Sequence, residues 1–169
     1  MSTFKNAVPS QLGENYIDLI SNQWMLITAG DQTGFNTMTA SWGAAGHIWN
    51  RDCMFAVVRP QRYTYEFMEK SGYFTCSFFP PEYKKALNYC GSYSGRDVDK
   101  CAQTGLTPLF GEYGVYFEQA RLVFVCKKVL ATDFASDSFV EKSIIGAVYP
   151  DNDFHRMYAG EIIECLIKE

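Results

Sequence analysis

Short segments with the character of β-strands dominate the pattern of this 169-residue chain, and they constrain its fold most strongly. Two of them, 53–60 and 73–79, are compact apolar runs of the kind found in buried strands. Strands are also predicted at 24–31 and 156–168, and the segment 113–134 is predicted to form two strands or one long bent strand. Because no strand–helix–strand alternation repeats, the sequence favours a β-barrel with short flanking helices over a doubly wound sheet.

The predicted helices are short and are marked by capping residues. They cover 63–72, 80–87, 94–105 and 138–146. Thr64 is expected to be the N-cap of the first helix, which Gly72 closes. Ser94 and Asp97 have the spacing of a capping box at the start of the third helix, with Asp in the usual place of Glu.

Composition excludes several classes of protein. Fifteen basic and 19 acidic residues give a net charge of −4 without a basic stripe, so no nucleic-acid or membrane partner is expected. No apolar run approaches the roughly 18–20 residues that span a bilayer, and the N-terminus lacks a signal-peptide layout, which predicts a cytoplasmic protein. No linker or repeat divides the chain, so a single domain over 1–169 is expected.

The six cysteines predict no metal site. They are Cys53, Cys76, Cys90, Cys101, Cys126 and Cys165. They form no C-x-x-C and match no zinc or iron–sulfur spacing. Most lie in apolar stretches, where a reduced cysteine acts as a small hydrophobic residue. A redox role for the pair Cys90 and Cys101 is the alternative.

Familiar nucleotide-binding and hydrolase motifs are absent from the sequence. There is no G-x-G-x-x-G and no P-loop, and the segment GSYSG carries Tyr93 where a nucleophile elbow has serine. His47 and His155 are too far apart for an H-E-x-x-H site. Any chemistry is therefore expected to come from a bound organic cofactor.

The segment NTMTASWG combines strand alternation with small polar side chains. In a strand, Thr37, Thr39 and Ser41 point to one face and the residues between them point to the other. A row of hydroxyls beside accessible backbone groups can line a pocket for a flat polar ligand. The alternative is an edge strand whose hydroxyls face water.

Two further segments have the residues of an anion site. In RPQRYTYE, Arg59 and Arg62 precede the helix that Thr64 is expected to cap, and a helix N-terminus with a hydroxyl and guanidinium groups can bind phosphate. In GSYSGRDVDK, Arg96 and Lys100 supply cations for a second wall. The alternatives are ordinary helix caps with solvated charges.

Four segments in series, NTMTASWG, VRPQRYTYEFMEKSGYFTCSFF, SGRDVDK and HRMYAGEI, resemble the flavin reductase-like family. These are FMN-binding split-barrel proteins that include the flavoredoxins. The resemblance implies a mainly β fold, a split β-barrel with Greek-key connections and short flanking α-helices. It also implies a homodimer with FMN near the subunit interface.

The resemblance further implies which residues bind FMN. The strand from Asn36 to Ser41 would contact the isoalloxazine and ribityl groups. Arg59, Tyr63 and Thr64 would hold the ribityl chain and the phosphate, with help from residues 92–100. The FMN-binding residues predicted in this way are Asn36, Thr37, Met38, Thr39, Ala40, Ser41, Arg59, Tyr63, Thr64, Ser92, Ser94 and Lys100.

His155 is the candidate for acid–base chemistry. Many relatives carry an Asp-His pair before the last strand, whereas here Phe154 separates Asp153 from His155. A histidine at this point either packs within the structure or delivers a proton to the flavin. The catalytic residue therefore stays unassigned.

The function implied is that of an oxidoreductase in which NAD(P)H or a protein donor reduces bound FMN, which passes electrons to free flavin or another acceptor. One alternative is an FMN-binding electron carrier that turns over no pyridine nucleotide. Another is a haem protein on the same barrel, with His47 or His155 as the axial ligand.

Overall fold

A computed structural model describes residues 3–169 of the protein, and this range contains ten β-strands and five short α-helices. The strands are β1 Phe4–Asn6, β2 Met25–Asp31, β3 Gly34–Ala40, β4 Gly43–Ile48, β5 Arg51–Val58, β6 Tyr73–Phe78, β7 Pro108–Gly111, β8 Gly114–Phe117, β9 Leu122–Asp133 and β10 Arg156–Lys168. The helices are α1 Tyr16–Asp18, α2 Tyr63–Lys70, α3 Lys84–Ser92, α4 Lys100–Thr104 and α5 Ser143–Val148.

Eight of the strands form one antiparallel sheet, and its connectivity forces it to curl. Its order is β3-β2-β6-β9-β10-β5-β4, with β1 paired to the C-terminal end of β10. The first and last strands of this order, β3 and β4, are joined only by Ser41 and Trp42. Three Cα–Cα steps reach at most about 11 Å, so the two ends of the sheet lie close together here. The sheet therefore rolls into a barrel, and β7 and β8 form a separate hairpin outside it.

Apolar clusters cover both faces of the sheet. On β2, Met25 and Ile27 pack with Phe74 in the interior cluster, while Leu26 belongs to an outer cluster with Leu87 of α3. Successive side chains of a strand point to opposite faces, so both faces of β2 are buried. This explains why β2 reads as a continuous apolar run.

Strand positions agree closely with the sequence predictions. The predicted strand at 156–168 has those bounds in the structure, and the segment 113–134 forms two strands, β8 and β9. The segment NTMTASWGAAGHIW is divided between β3 and β4. The break falls at Ser41 and Trp42, directly before Gly43, whose φ of +153° favours glycine.

The prediction that Thr64 caps α2 is wrong. The helix begins at Tyr63, and Arg62 is the N-cap residue with extended backbone angles. Thr64 is fully buried inside the first turn, where its hydroxyl accepts a hydrogen bond from the Asn36 amide. The helix ends at Lys70 and not at Gly72.

Three other predicted helices have different bounds. The helix predicted at 80–87 is a 3-10 turn followed by α3, which continues to Ser92. The helix predicted from Ser94 begins only at Lys100, because Asp99 is the N-cap and its carboxylate accepts from the Ala102 amide. The helix predicted from 138 begins at Ser143.

Three global features bear on function. Within residues 3–169, no helix combines the length and apolar character needed to cross a membrane. In the same range, no cluster of three or more His, Cys, Asp or Glu residues is arranged to hold a metal ion. The six cysteines are free thiols, and five of them are buried.

Candidate functional site

A cavity of about 230 Å³ lies at the open edge of β3, and we call it the β3-edge cavity. Because β3 ends the sheet order, its outer edge faces the start of α2 and the segment from Gly91 to Lys100 instead of another strand. The residues that line it are Asn36, Met38, Gln61, Arg62, Tyr63, Thr64, Gly91, Ser92, Tyr93, Ser94, Gly95 and Lys100.

Lys100 is the most deeply buried cation of this cavity. Only 6% of the residue is exposed, and its Nζ donates to the carbonyl oxygens of Thr37 at 2.7 Å and Cys90 at 2.8 Å. The bond to Thr37 gives a partner to a backbone carbonyl of the edge strand β3, and the bond to Cys90 ties Lys100 to α3. Burial lowers the pKa of Lys100 to about 8, and Arg62 adds to this effect.

Arg62 supplies a second cation close to the first. Its Nη2 donates to the Gly91 carbonyl at 3.2 Å, and burial lowers the pKa of its guanidinium. Among the described residues, neither Arg62 nor Lys100 forms an ion pair with a carboxylate. A buried and a partly buried positive charge without a counter-ion are costly unless an anion joins them. The cavity is therefore suited to an anion.

Polar groups of α2 and β3 complete the site. Asn36 is 7% exposed, and its Nδ2 donates to the Thr64 Oγ1 at 2.8 Å, which fixes the first turn of α2 against β3. The first N–H groups of an α-helix have no intrahelical acceptor and favour an anion. Gly95 passes so close that a Cβ at this position would overlap the Asn36 Oδ1. Only glycine lets this segment approach β3.

The hydroxyl row of β3 does not face this cavity, contrary to the sequence interpretation. The Thr37 Oγ1 lies 2.9 Å from the Thr28 Oγ1, and the Thr39 Oγ1 donates to the Leu87 carbonyl. These hydroxyls tie β3 to β2 and α3. The opposite face contributes Asn36 and Met38 to the cavity instead.

Ala40 and Ser41 also lie outside the cavity. Ala40 is part of the interior apolar cluster. Ser41 lies in a separate surface depression of about 360 Å³ together with Ile17 and Trp42.

Arg59 is occupied elsewhere. Its guanidinium pairs with Asp153, its Nη2 donates to the Val148 carbonyl at 2.9 Å, and it lies over the Tyr149 ring at 5.3 Å. These partners belong to residues 134–155, a segment between β9 and β10 that we call the strap. Because the strap binds the Arg59 guanidinium, Arg59 is not available at the cavity. Arg62 is the arginine placed to bind the phosphate there.

His155 packs within the strap and does not line the β3-edge cavity. It is 8% exposed, its Nδ1 lies 2.8 Å from the Tyr149 hydroxyl, and its ring lies 5.3 Å from the Trp42 ring. Burial lowers its pKa to about 4, with Arg59 contributing. The imidazole is therefore neutral near pH 7 and has the contacts of a packing residue.

The structure brings together seven of the twelve residues predicted to bind FMN. They are Asn36, Met38, Tyr63, Thr64, Ser92, Ser94 and Lys100. The set omitted Arg62, although RPQRYTYE had pointed to it, and it omitted Gly95. The position of Gly95 directly before Arg96 and Asp97, near an expected helix start, could have drawn attention to it. Its contact with Asn36 could not have been predicted from the sequence.

Comparisons with known proteins agree with this architecture. The family model described as flavin reductase like domain matches residues 17–169. No curated protein sequence matches the chain significantly.

Solved structures share the fold at low sequence identity. An FMN-binding domain of a flavin reductase-like enzyme from Shewanella baltica has a TM-score of 0.70 at 18% identity, covering 98% of this chain and 78% of its own. Flavoredoxin of Desulfovibrio vulgaris has a TM-score of 0.68 at 22% identity, and the match covers 98% of this chain and 77% of the flavoredoxin chain. A putative flavin reductase with split barrel domain from Shewanella frigidimarina has a TM-score of 0.65 at 21% identity, and the match covers 88% of this chain and 69% of the other. The predicted mainly β split barrel with short helices is confirmed.

Proposed function

The chain belongs to the flavin reductase-like family, and from this premise we propose that it is an FMN-binding oxidoreductase. It accepts electrons from NAD(P)H or a protein donor and passes them to free flavin or another acceptor. FMN supplies the redox chemistry when bound, and the protein binds it, orients it and tunes its surroundings.

The observation that carries this proposal is the pair of uncompensated cations. Arg62 and Lys100 converge on the β3-edge cavity beside the N-terminus of α2 and form no ion pair within residues 3–169. A phosphate ester supplies the missing negative charge and accepts several charge-assisted hydrogen bonds. The cavity of about 230 Å³ is also lined by Ser92, Ser94 and Thr64, so the residues present fit the phosphate of FMN.

The remaining predicted residues divide by role. Asn36, Thr64 and the segment from Ser92 to Lys100 hold the phosphate and the ribityl chain, and Met38 and Tyr63 pack against them. Thr37 and Thr39 keep β3 in place through their internal hydrogen bonds. We assign no acid–base residue, since the lining of the cavity contains neither histidine nor carboxylate.

A second candidate is an FMN-binding electron carrier without NAD(P)H turnover. It is supported by the structural likeness to a protein named flavoredoxin. Haem binding has less support, because His47 pairs with Asp52 in the exposed β4–β5 hairpin and His155 is packed in the strap.

An absorption spectrum of the purified protein reconstituted with FMN tests the proposal, recorded before and after anaerobic addition of NADH and NADPH. Flavin bands near ~370 and ~450 nm that bleach with a nucleotide support the reductase. Flavin bands that persist support the carrier. A protein that retains no flavin overturns both, and a Soret band would establish haem.

We also propose a homodimer in the cytoplasm. The six free thiols suit a reducing compartment. At the β4 end of the sheet, Ile17, Trp42 and Trp49 are 82%, 49% and 53% exposed, and large apolar side chains left in water together are typical of an interface with another chain. A second copy of the chain is the proposed partner. Sedimentation equilibrium should give twice the chain mass, and Ile17→Glu should shift it towards the monomer.

A further inference from the structure

The β3-edge cavity is too small to enclose the whole of FMN. Its volume is about 230 Å³, whereas pockets that enclose ligands of that kind usually measure roughly 300–1,000 Å³. The polar part of its lining, which includes Arg62 and Lys100, suits the phosphate and the ribityl chain. The flat ring then lies at the mouth of the cavity, where an aromatic side chain that covers one of its faces would stabilise it.

Tyr93 presents an aromatic surface at the edge of this cavity. The residue is 52% exposed and lines the cavity beside Ser92 and Ser94. One face of its ring packs against Tyr89, with the ring centroids 4.4 Å apart and an angle of 27° between the planes. Within residues 3–169, no other ring and no cation lies over the Tyr93 ring. Its second face is therefore open to a ligand.

The local sequence holds this ring in place. Tyr89 and Tyr93 are four residues apart, a spacing that brings two side chains to the same side of an α-helix. Tyr93 is the C-cap residue of α3, and its backbone N–H donates to the Tyr89 carbonyl at 3.1 Å. A ring that is already held by a backbone bond and a stacked neighbour loses little conformational freedom when a ligand covers it.

The other aromatic side chains near the cavity are less suited to this contact. The Tyr63 ring lines the cavity, but the Arg96 guanidinium carbon lies 4.7 Å from its centroid and Phe67 packs against it edge to face. Phe110 is 51% exposed, but it lines an adjoining cavity of about 320 Å³ that shares Asn36 with the first. Phe110 therefore offers a comparison of equal exposure at a different site.

We infer that Tyr93 binds the isoalloxazine ring of FMN by stacking its open face on that ring. This inference rests on the proposed function, because FMN is the ligand that it places. It divides recognition into two parts. The cations of the β3-edge cavity select the phosphate end of the ligand, and the pair of Tyr89 and Tyr93 selects a flat ring at the other end.

Isothermal titration calorimetry with two ligands that share the phosphate end tests this. FMN carries the ring, whereas ribitol 5-phosphate carries only the sugar chain and the phosphate and is measured by its competition with FMN. Tyr93→Leu should weaken FMN about threefold to tenfold, as expected for the loss of one aromatic stack, and leave ribitol 5-phosphate within about twofold. Tyr93→Phe keeps a ring at this position and should leave both affinities within about twofold of the wild type.

Phe110→Leu is the matched control, because Phe110 is as exposed as Tyr93 but lines the adjoining cavity. It should leave both affinities within about twofold.

Four results would overturn the inference while the proposed function stands. They are an unchanged FMN affinity in Tyr93→Leu, a loss of FMN affinity in Phe110→Leu instead, an equal loss of both ligands in Tyr93→Leu, and a failure of ribitol 5-phosphate to compete with FMN in the wild type. If the wild-type protein does not bind FMN, the proposed function fails and the inference fails with it.

Discussion

At the scale of single residues, Lys100 decides what the site can hold. It is a buried lysine bonded to two backbone carbonyls, with Arg62 as its nearest charged neighbour in the cavity. The sequence named Lys100, because SGRDVDK places it after a helix cap. Its pairing with the edge of β3 depends on a contact 63 residues away in the chain, which no local pattern contains.

The low pKa of Lys100 predicts a pH dependence of FMN binding. A bound phosphate stabilises the charged lysine and raises its pKa, so binding above pH 8 takes up a proton and the affinity falls as pH rises. Below about pH 6 the phosphate loses its second charge. The affinity should therefore be highest between about pH 6 and pH 8 and fall up to about tenfold per pH unit above that.

Lys100→Arg is the control for this profile, measured by fluorescence titration. An arginine remains charged over the whole range, so the decline above pH 8 should disappear. A decline that persists in this variant would assign the titration to another group.

Arg62 and Arg59 should respond differently to replacement by alanine. Arg62→Ala removes a cation of the β3-edge cavity and should weaken FMN by on the order of 2 kcal/mol. Arg59→Ala breaks the contacts with Asp153 and Val148, so it should lower the melting temperature and change FMN affinity less. Titration and thermal melts of both variants check this. If Arg59→Ala weakened FMN binding more than Arg62→Ala, the phosphate would be bound by Arg59 instead.

At the scale of elements, sequence reasoning located strands better than helices. A strand such as β10 carries its signal in its own apolar pattern. Helix starts depend on which of several polar residues caps the backbone, and Ser94, Asp97 and Asp99 all suit that position by type. The functional site shows the same limit of sequence-based prediction, and the contact between Arg59 and the strap is the example. Asp153 lies 94 residues from Arg59, so the ion pair that occupies Arg59 was not visible in the sequence.

Gly160 of β10 is required by its neighbours. A Cβ at this position would lie 2.6 Å from the Phe74 ring and 2.7 Å from the Cys126 Cβ, inside the barrel. Gly160→Ala should therefore cost about 1–3 kcal/mol and lower the melting temperature by several degrees. Gly146→Ala in α5, where a Cβ meets open space, is the control and should be neutral or slightly stabilising. Equal melting temperatures for the two variants would contradict this packing.

At the scale of the whole molecule, the two ends of the sheet carry the two proposed interactions. The edge of β3 holds the β3-edge cavity, and the region of β4 exposes the apolar surface proposed for the second copy. Ser41 and Trp42 join these ends. The barrel followed from sequence pattern and family resemblance, whereas the strand order and the position of the cavity beside an unpaired strand required the structure.

Ligand binding at an unpaired edge should stabilise the whole fold. FMN at a hundred times its dissociation constant stabilises a protein by about 2.7 kcal/mol, which should raise the melting temperature by roughly 5–10 °C. Differential scanning calorimetry measures this shift. Arg62→Ala at the same FMN concentration should show a smaller shift, and an equal shift would mean that the cavity is not where FMN binds.

The unpaired charges of Arg62 and Lys100 have a consequence for which members of the flavin pool the protein accepts. Riboflavin carries the same ring as FMN but no phosphate, so it would leave both cations without an anion. The charge-assisted bonds it cannot make contribute about 1.5–3 kcal/mol each, which amounts to discrimination on the order of a hundredfold or more. The protein is thus expected to bind riboflavin only weakly and to take up flavin only after a kinase has phosphorylated riboflavin to FMN.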